Sequence, residues 1–211
     1  ICVYTDEEKQ IVFMDTPGVH KPKHKLGEFM VDAAIESLKE TEAVLFVVAG
    51  NEKRGPGDNF IIEQLKRVKV PVFLVVNKID TLQKEQVLEA IVSYQDAYPF
   101  AGVIPISAKN KENLSELLNV LGEHLPEGPQ YFPEDMITDQ PERLIISDIV
   151  REKILLSTRD EIPHAIAVDV DEMKTRDDGT TYIRATIYCE RDSQKGIIIG
   201  NKGALLRKIG A

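Results

Sequence analysis

The chain has 211 residues, 43% of them hydrophobic and 29% charged, with a formal net charge of −9. That balance is ordinary for a soluble globular protein of one or two domains, and no apolar stretch approaches the roughly 18 residues that a transmembrane helix needs. The acidic total argues against nucleic-acid binding by the chain as a whole, but from residue 191 onward Arg191, Lys195, Lys202, Arg207 and Lys208 stand against Asp192 alone. A basic tail on an acidic chain is the asymmetry that a phosphate-contacting patch requires.

Residues 1–125 alternate apolar strands with amphipathic helical stretches. Strands are expected at about 2–5, 10–15, 43–49, 71–77 and 102–106, and helices at about 27–40, 57–68, 83–97 and 112–125. Continuous apolar runs such as Val44-Leu45-Phe46-Val47-Val48 belong to a sheet covered on both faces, and strand–helix alternation implies a mostly parallel, doubly wound sheet. The polar stretch Thr5-Asp6-Glu7-Glu8-Lys9 reads as a hairpin turn, which makes the first strand antiparallel at an edge. Gly50 to Gly57 reads as a loop before a helix. Cys2 and Cys189 read as small buried hydrophobes in a reducing compartment. His20, His24, His124 and His164 show no metal-ligand spacing.

Three of these strands run out into short polar motifs. Gln10-Ile11-Val12-Phe13-Met14 leads into Asp15-Thr16-Pro17-Gly18, a D-x-x-G. Asp15 could hold a magnesium-bound water there, and the Gly18 N–H could approach a terminal phosphate with no Cβ in the way. Val70-Pro71-Val72-Phe73-Leu74-Val75-Val76 leads into Asn77-Lys78-Ile79-Asp80. The Asp80 carboxylate could accept from the ring N–H and the exocyclic amine of guanine, neither of which adenine offers at those positions. A site built to bond such groups rejects an analogue lacking them by roughly 10⁴–10⁵. Asn77 would hold the other side of the base, and the Lys78 stem would cover its face. Val103-Ile104-Pro105-Ile106 leads into Ser107-Ala108-Lys109, where the Ala108 N–H could reach the guanine carbonyl. Each motif alone is common; all three in this order, each at a strand exit, point to a guanine nucleotide bound outside the carboxyl ends of the strands. The set is that of the translation-factor-type GTPases.

No G-x-x-x-x-G-K-[ST] occurs in the chain, so the loop that would cradle the phosphates is not present. The chain also starts at Ile1 inside a strand. The expectation is a sequence truncated upstream, in a protein whose phosphate-loop strand lies between the strands at 10–15 and 43–49. These 211 residues alone are then expected neither to fold cooperatively nor to bind GTP.

Pro126, Pro129, Pro133 and Pro141 crowd the next stretch and read as a stiff linker. The expected organisation is a nucleotide domain over 1–127, a linker over 128–138 and a second domain over 139–211. That domain opens with a D-x-x-E box, Asp139 to Glu142, with Pro141 in the first turn and an apolar stripe of Ile145, Ile149, Val150 and Ile154. Two β-rich runs, 164–174 and 181–190, are joined by Arg176-Asp177-Asp178-Gly179, a hairpin signal. Then comes Ile197-Ile198-Ile199-Gly200-Asn201-Lys202-Gly203, opening a further helix. This order is the layout of a type II KH domain, here without its closing strand. Its G-x-x-G loop, Gly200 to Gly203, would clamp about four nucleotides of a single strand, with Lys202, Lys195, Arg207 and Lys208 supplying charge.

A guanine-nucleotide domain joined through a Pro-rich linker to a KH domain resembles the Era family of bacterial GTPases. The likeness covers essentially the whole chain and includes Asp15-Thr16-Pro17-Gly18-Val19-His20-Lys21-Pro22, Leu125-Pro126-Glu127-Gly128-Pro129 and Glu190-Arg191-Asp192-Ser193-Gln194-Lys195-Gly196. The resemblance implies an α/β GTPase fold plus an α+β KH domain, and GTP hydrolysis with Mg²⁺. It also implies binding to the 3′ end of 16S ribosomal RNA and assistance in 30S subunit maturation. A cytoplasmic monomer with loose association at the inner membrane face is part of the same expectation. Val19 stands where many GTPases carry the water-orienting Gln, so no general base is assigned. Lys21 to Lys25 falls where the second switch belongs. Two other readings are an RNA-binding adaptor with a nucleotide-free G-like scaffold, and a Der-type GTPase; Gly200 to Gly203 speaks against the latter.

Overall fold

The computed structural model describes residues 1–16, 35, 38–158 and 165–210. The chain forms two compact units, residues 1–137 and 138–211. Pro17, Gly18, Val19 and Lys21 to Lys25 lie outside the described residues, as does most of the helix expected at 27–40.

The first unit opens with β1 (Cys2–Thr5) and β2 (Gln10–Phe13), an antiparallel pair in which Thr5 stands opposite Gln10. Asp6 makes the turn: its Oδ1 accepts from the N–H groups of Glu8 and Lys9, each at 2.9 Å. Those N–H groups, Glu8 foremost, hold its carboxyl down at about 2. Next come β3 (Val44–Ala49), α1 (Pro56–Leu65), β4 (Val72–Asn77), α2 (Lys84–Gln95), β5 (Gly102–Pro105) and α3 (Leu114–Gly122). The order β3-β4-β5 is parallel throughout.

Strand β4 shows why the sequence folds this way. Val72 through Val76 are all at most 2% exposed, so the strand has no wet face. Val72, Leu74 and Val76 pack with Ile62, Leu65 and Tyr94 of α1 and α2. Phe73 and Val75 pack on the opposite face with Ile11, Ile104, Leu117 and Leu121. Period-two alternation distributes one apolar run between two cores. At ~1.5–3 kcal/mol for each fully buried side chain, this strand is the centre of the unit's stability.

The sheet is not continuous. β1–β2 and β3-β4-β5 are separate ladders, although Ile11 and Phe13 of β2 share a core with Phe73 and Leu45. The break falls between β2 and β3.

The second unit contains α4 (Glu142–Ser157), the antiparallel pair β6 (Ile166–Thr175) and β7 (Thr181–Cys189), then α5 (Asp192–Ile199) and α6 (Ala204–Gly210). Ile154, Ile166, Ile198 and Ile209 form its core, with Val150, Val168, Ile187 and Leu205 packed against them. The Ser147 hydroxyl donates to the Val168 carbonyl at 2.6 Å and pins α4 to β6.

Two local expectations differ, and one element had no expectation. Helix α4 starts at Glu142 with Pro141 as its cap, its carbonyl accepting from the N–H groups of Leu144 and Ile145. The Asp139 box is therefore displaced, because proline's fixed φ serves a cap as well as a first turn. Ile149 is 48% exposed and lies off the buried stripe. The run before Gly200 is a helix, α5, fastened by a cap in which Gln194 Oε1 accepts from the Arg191 N–H at 3.0 Å.

Candidate nucleotide and RNA sites

The motifs at the ends of β4 and β5 meet. Asn77 closes β4, and its Oδ1 accepts from the N–H of Lys78 at 2.7 Å and of Ala108 at 3.0 Å. Lys78 is left-handed, φ +67°, and Asp80 follows in a single 3₁₀ turn over Ile79–Thr81. One Asp80 oxygen accepts from the Ser107 hydroxyl at 2.7 Å. Ser107 is fully buried. Its oxygen also accepts from the Asn110 N–H at 3.1 Å, and its backbone pairs in both directions with Glu112. The Ile79 N–H reaches the Ile106 carbonyl at 3.3 Å. Two loops far apart in sequence are thus cross-braced, with the exposed Asp80 carboxylate held at one oxygen.

Gly50, just past β3, belongs to this bracing and was not singled out from sequence. Its N–H donates to the Asn77 carbonyl at 2.8 Å. A Cβ there would lie 2.9 Å from a Val76 methyl and 3.0 Å from one of Leu82, so only glycine allows the approach. Lys78 Nζ lies 4.0 Å from a Glu52 oxygen, both side chains being mostly exposed; such a pair contributes little energy.

The Ala108 N–H, expected to reach a guanine carbonyl, meets Asn77 Oδ1. Ala108 is exposed, and a base carbonyl would share its N–H with Asn77. Lys109 is exposed. Asp15 is exposed and Thr16 half-buried just beyond β2. Among the described residues no hydrogen bond joins them to the Asn77–Ser107 cluster.

In the second unit α5 ends at Ile199 and the G-x-x-G loop follows. Gly200 (φ +69°), Lys202 (φ +50°) and Gly203 (φ +78°) all take left-handed backbone. At Gly200 a Cβ would sit 2.8 Å from the Leu205 Cβ and 3.0 Å from its N, whereas at Gly203 it would meet nothing within 4 Å. The first glycine lets α6 pack close; the second leaves a gap. Arg207 Nη2 donates to the Lys202 carbonyl at 3.3 Å. Asn201, Lys202, Lys195, Arg207 and Lys208 are exposed, so cations surround a stretch of bare backbone. Ile197, Ile199 and Leu206 are exposed apolar neighbours.

Residues 2–127 match the family described as the elongation factor Tu GTP binding domain, and residues 161–211 match the KH domain family. Among solved structures the chain resembles Era in complex with MgGDPNP and nucleotides 1506–1542 of 16S ribosomal RNA. The TM-score is 0.83 at 40% identity, over 99% of this chain and 72% of that one. A point variant of Aquifex aeolicus Era bound to GDP·AlF4− matches with the same score, identity and coverage. The chain belongs to the Era family of GTPases.

Proposed function

We propose that the first unit binds GTP and GDP through Asn77, Lys78, Asp80, Ser107, Ala108 and Lys109, with Asp15, Thr16, Pro17 and Gly18 on the phosphate side. The second unit then binds the 3′ end of 16S ribosomal RNA through Gly200, Asn201, Lys202 and Gly203, supported by Lys195, Arg207 and Lys208. The observation that carries this reading is the cross-brace of Asn77 with Ala108 and of Asp80 with Ser107. It leaves a carboxylate preset at a strand end, where a guanine edge needs two acceptors. Binding to a preset carboxylate costs little reorganisation.

Mg²⁺ fits the residues present. Asp15 offers one exposed carboxylate, and among the described residues no group of three or more His, Cys, Asp or Glu gathers. Mg²⁺ bound to nucleotides keeps several waters and needs only one or two carboxylates beside the phosphates. The ion supplies charge neutralisation at the terminal phosphates when bound. Asp15 would hold one of its waters, and the side chains at β4 and β5 would orient the base. Val19 offers no group to orient an attacking water, so hydrolysis rests on positioning and backbone N–H groups.

We further propose that the protein assists 30S subunit assembly in the cytoplasm as a monomer, with loose association at the inner membrane face. Without a phosphate loop, residues 1–211 alone should not hydrolyse GTP. The test is a titration of the intact protein with GTP and ATP, followed by co-sedimentation with 30S subunits. GTP should bind with strong preference over ATP, and the protein should travel with 30S. Equal affinity for the two nucleotides would overturn the base site, and free migration would overturn the ribosomal role.

A further inference from the structure

The Pro-rich stretch is not a free tether up to residue 137. Gln10 of β2 reaches across to it with its whole side-chain amide. Its Oε1 accepts from the backbone N–H groups of Tyr131 and Phe132, both at 3.0 Å. Its Nε2 donates to the Phe132 carbonyl and to the Thr5 hydroxyl, again at 3.0 Å each. Two donors and two acceptor positions are all that a primary amide offers, and every one is used. The pattern calls for a primary amide: a carboxylate has no donor, and a lysine or arginine has no acceptor.

Further contacts fix the same register. The Gln130 amide donates to the Phe132 carbonyl at 2.8 Å. Beyond it, the Val3 N–H of β1 donates to the Ile137 carbonyl at 2.9 Å. Residues 131–137 are thus strapped across the β1–β2 hairpin. Phe132 and Met136 of the strap are half-buried, but Tyr131 is 79% exposed, so burial contributes little to holding Tyr131. Among the described residues, the strap's ties to the hairpin are the Gln10 amide and the Val3 backbone bond.

Gln10 sits at the start of β2, and the same short strand ends two residues before Asp15. We infer that Gln10 is the fastening that registers the interdomain strap on the strand carrying Asp15. A shift of that strand on nucleotide binding therefore reaches the strap, and hence the segment that leads into the second unit. The nucleotide half of this inference rests on the reading of Asp15 given above; the fastening itself does not.

The test is amide hydrogen exchange at Tyr131 and Phe132 in the intact protein, with and without Mg²⁺ and a non-hydrolysable GTP analogue. In the nucleotide-free protein Gln10→Ala should speed exchange at both amides by roughly tenfold or more, because each loses its acceptor. Gln10→Glu keeps the acceptor but turns a carboxylate oxygen on the Phe132 carbonyl, so both amides should again exchange faster than in the wild type; unchanged exchange at the buried amides of β4 in both variants guards against a general loss of folding. Adding the analogue should change exchange at these two amides in the wild type and leave the alanine variant unmoved. Equal exchange in wild type and Gln10→Ala would overturn the fastening. An unmoved wild type, or a response that survives in Gln10→Ala, would overturn the coupling. Fluorescence of a labelled guanine nucleotide, read in parallel, separates a failed base site from a failed strap.

Discussion

Two loops in this protein share a local sequence and differ in everything that surrounds it. Asn77-Lys78 and Asn201-Lys202 both place a lysine in the left-handed region, at φ +67° and +50°. Around Asn77 the side chains are tied: Asn77 to Ala108, Asp80 to Ser107, Ser107 to Asn110, and Gly50 to the Asn77 carbonyl. Around Asn201 no loop side chain is tied in this way: the Gly200 carbonyl accepts from the Gly203 N–H, and the Lys202 carbonyl from the Arg207 side chain. The difference matches the two kinds of ligand proposed for these loops. Telling one base from another requires acceptors at set positions, since specificity comes from polar atoms that a wrong ligand leaves unpaired. Holding a sugar-phosphate strand requires space and charge, which glycines and exposed cations provide.

The comparison breaks most sharply at Gly203. Its left-handed backbone faces open space, so Gly203→Asp would put a carboxylate where the proposed RNA contact brings a phosphate and add strain at φ +78°. In the intact protein this variant should lose measurable binding to a single-stranded oligoribonucleotide while keeping GTP affinity. Wild-type RNA affinity should fall with salt at a log–log slope of about −0.7 per neutralised phosphate. RNA binding that survives both the substitution and raised salt would place the contact elsewhere.

The braced loop should respond differently, through selectivity. Asp80→Asn replaces two acceptors with one acceptor and one donor. Each charge-assisted bond contributes ~1.5–3 kcal/mol, so GTP affinity should fall on the order of 10²-fold or more. Xanthosine triphosphate, which carries an acceptor in place of the amine, should bind better than before. Parallel titrations of the two nucleotides decide the matter; unchanged GTP affinity removes Asp80 from the site.

Ser107→Ala sharpens the comparison further, because it leaves the carboxylate in place and removes its brace, along with the acceptor of the Asn110 N–H. The expected loss is about tenfold in GTP affinity, the worth of one charge-assisted hydrogen bond. RNA affinity should not move. A loss as large as that of Asp80→Asn would mean that Ser107 itself meets the ligand.

How far the sequence could show this follows from range. β4 was legible because a strand buried on both faces must be apolar at every position, and Val72 through Val76 satisfy that without reference to any partner. The hairpin at Asp178-Gly179 was legible because the left-handed Gly179, φ +81°, is a local demand. The candidate site was legible as three motifs, but not the bonds between them. Ser107 binds Asp80 across 27 residues and Ala108 binds Asn77 across 31, and nothing local encodes such pairs. The helix α5 went unassigned because three β-branched residues, Ile197 to Ile199, dilute a helical pattern. Its signal was the Arg191–Gln194 cap. Gln10 and its strap, 121 and 122 residues apart, gave no sequence signal.

The smallest effect expected concerns the packing behind the braced loop. Tyr94 of α2 is 3% exposed, packed edge-on to Phe46 at 6.0 Å, with the Arg54 guanidinium 5.7 Å from its ring centre. Burial, with the Asp58 carboxylate adding to it, pushes its phenol up to about 12. The folded state therefore keeps this proton to higher pH than the unfolded chain, whose tyrosines ionise near pH 10. Stability from this site is fully present below about pH 10 and is lost as pH rises from there toward 12. Tyr94→Phe has no proton to lose. Its melting temperature should then change less than that of the wild type between pH 9 and 11.5, although the variant starts with a different baseline. The readout is the difference between the two melting temperatures as a function of pH, which cancels the titration of every other tyrosine and lysine. A difference that stays constant across that window would mean that Tyr94 ionises without cost in the fold, and that the core behind β4 is wetter than its burial indicates.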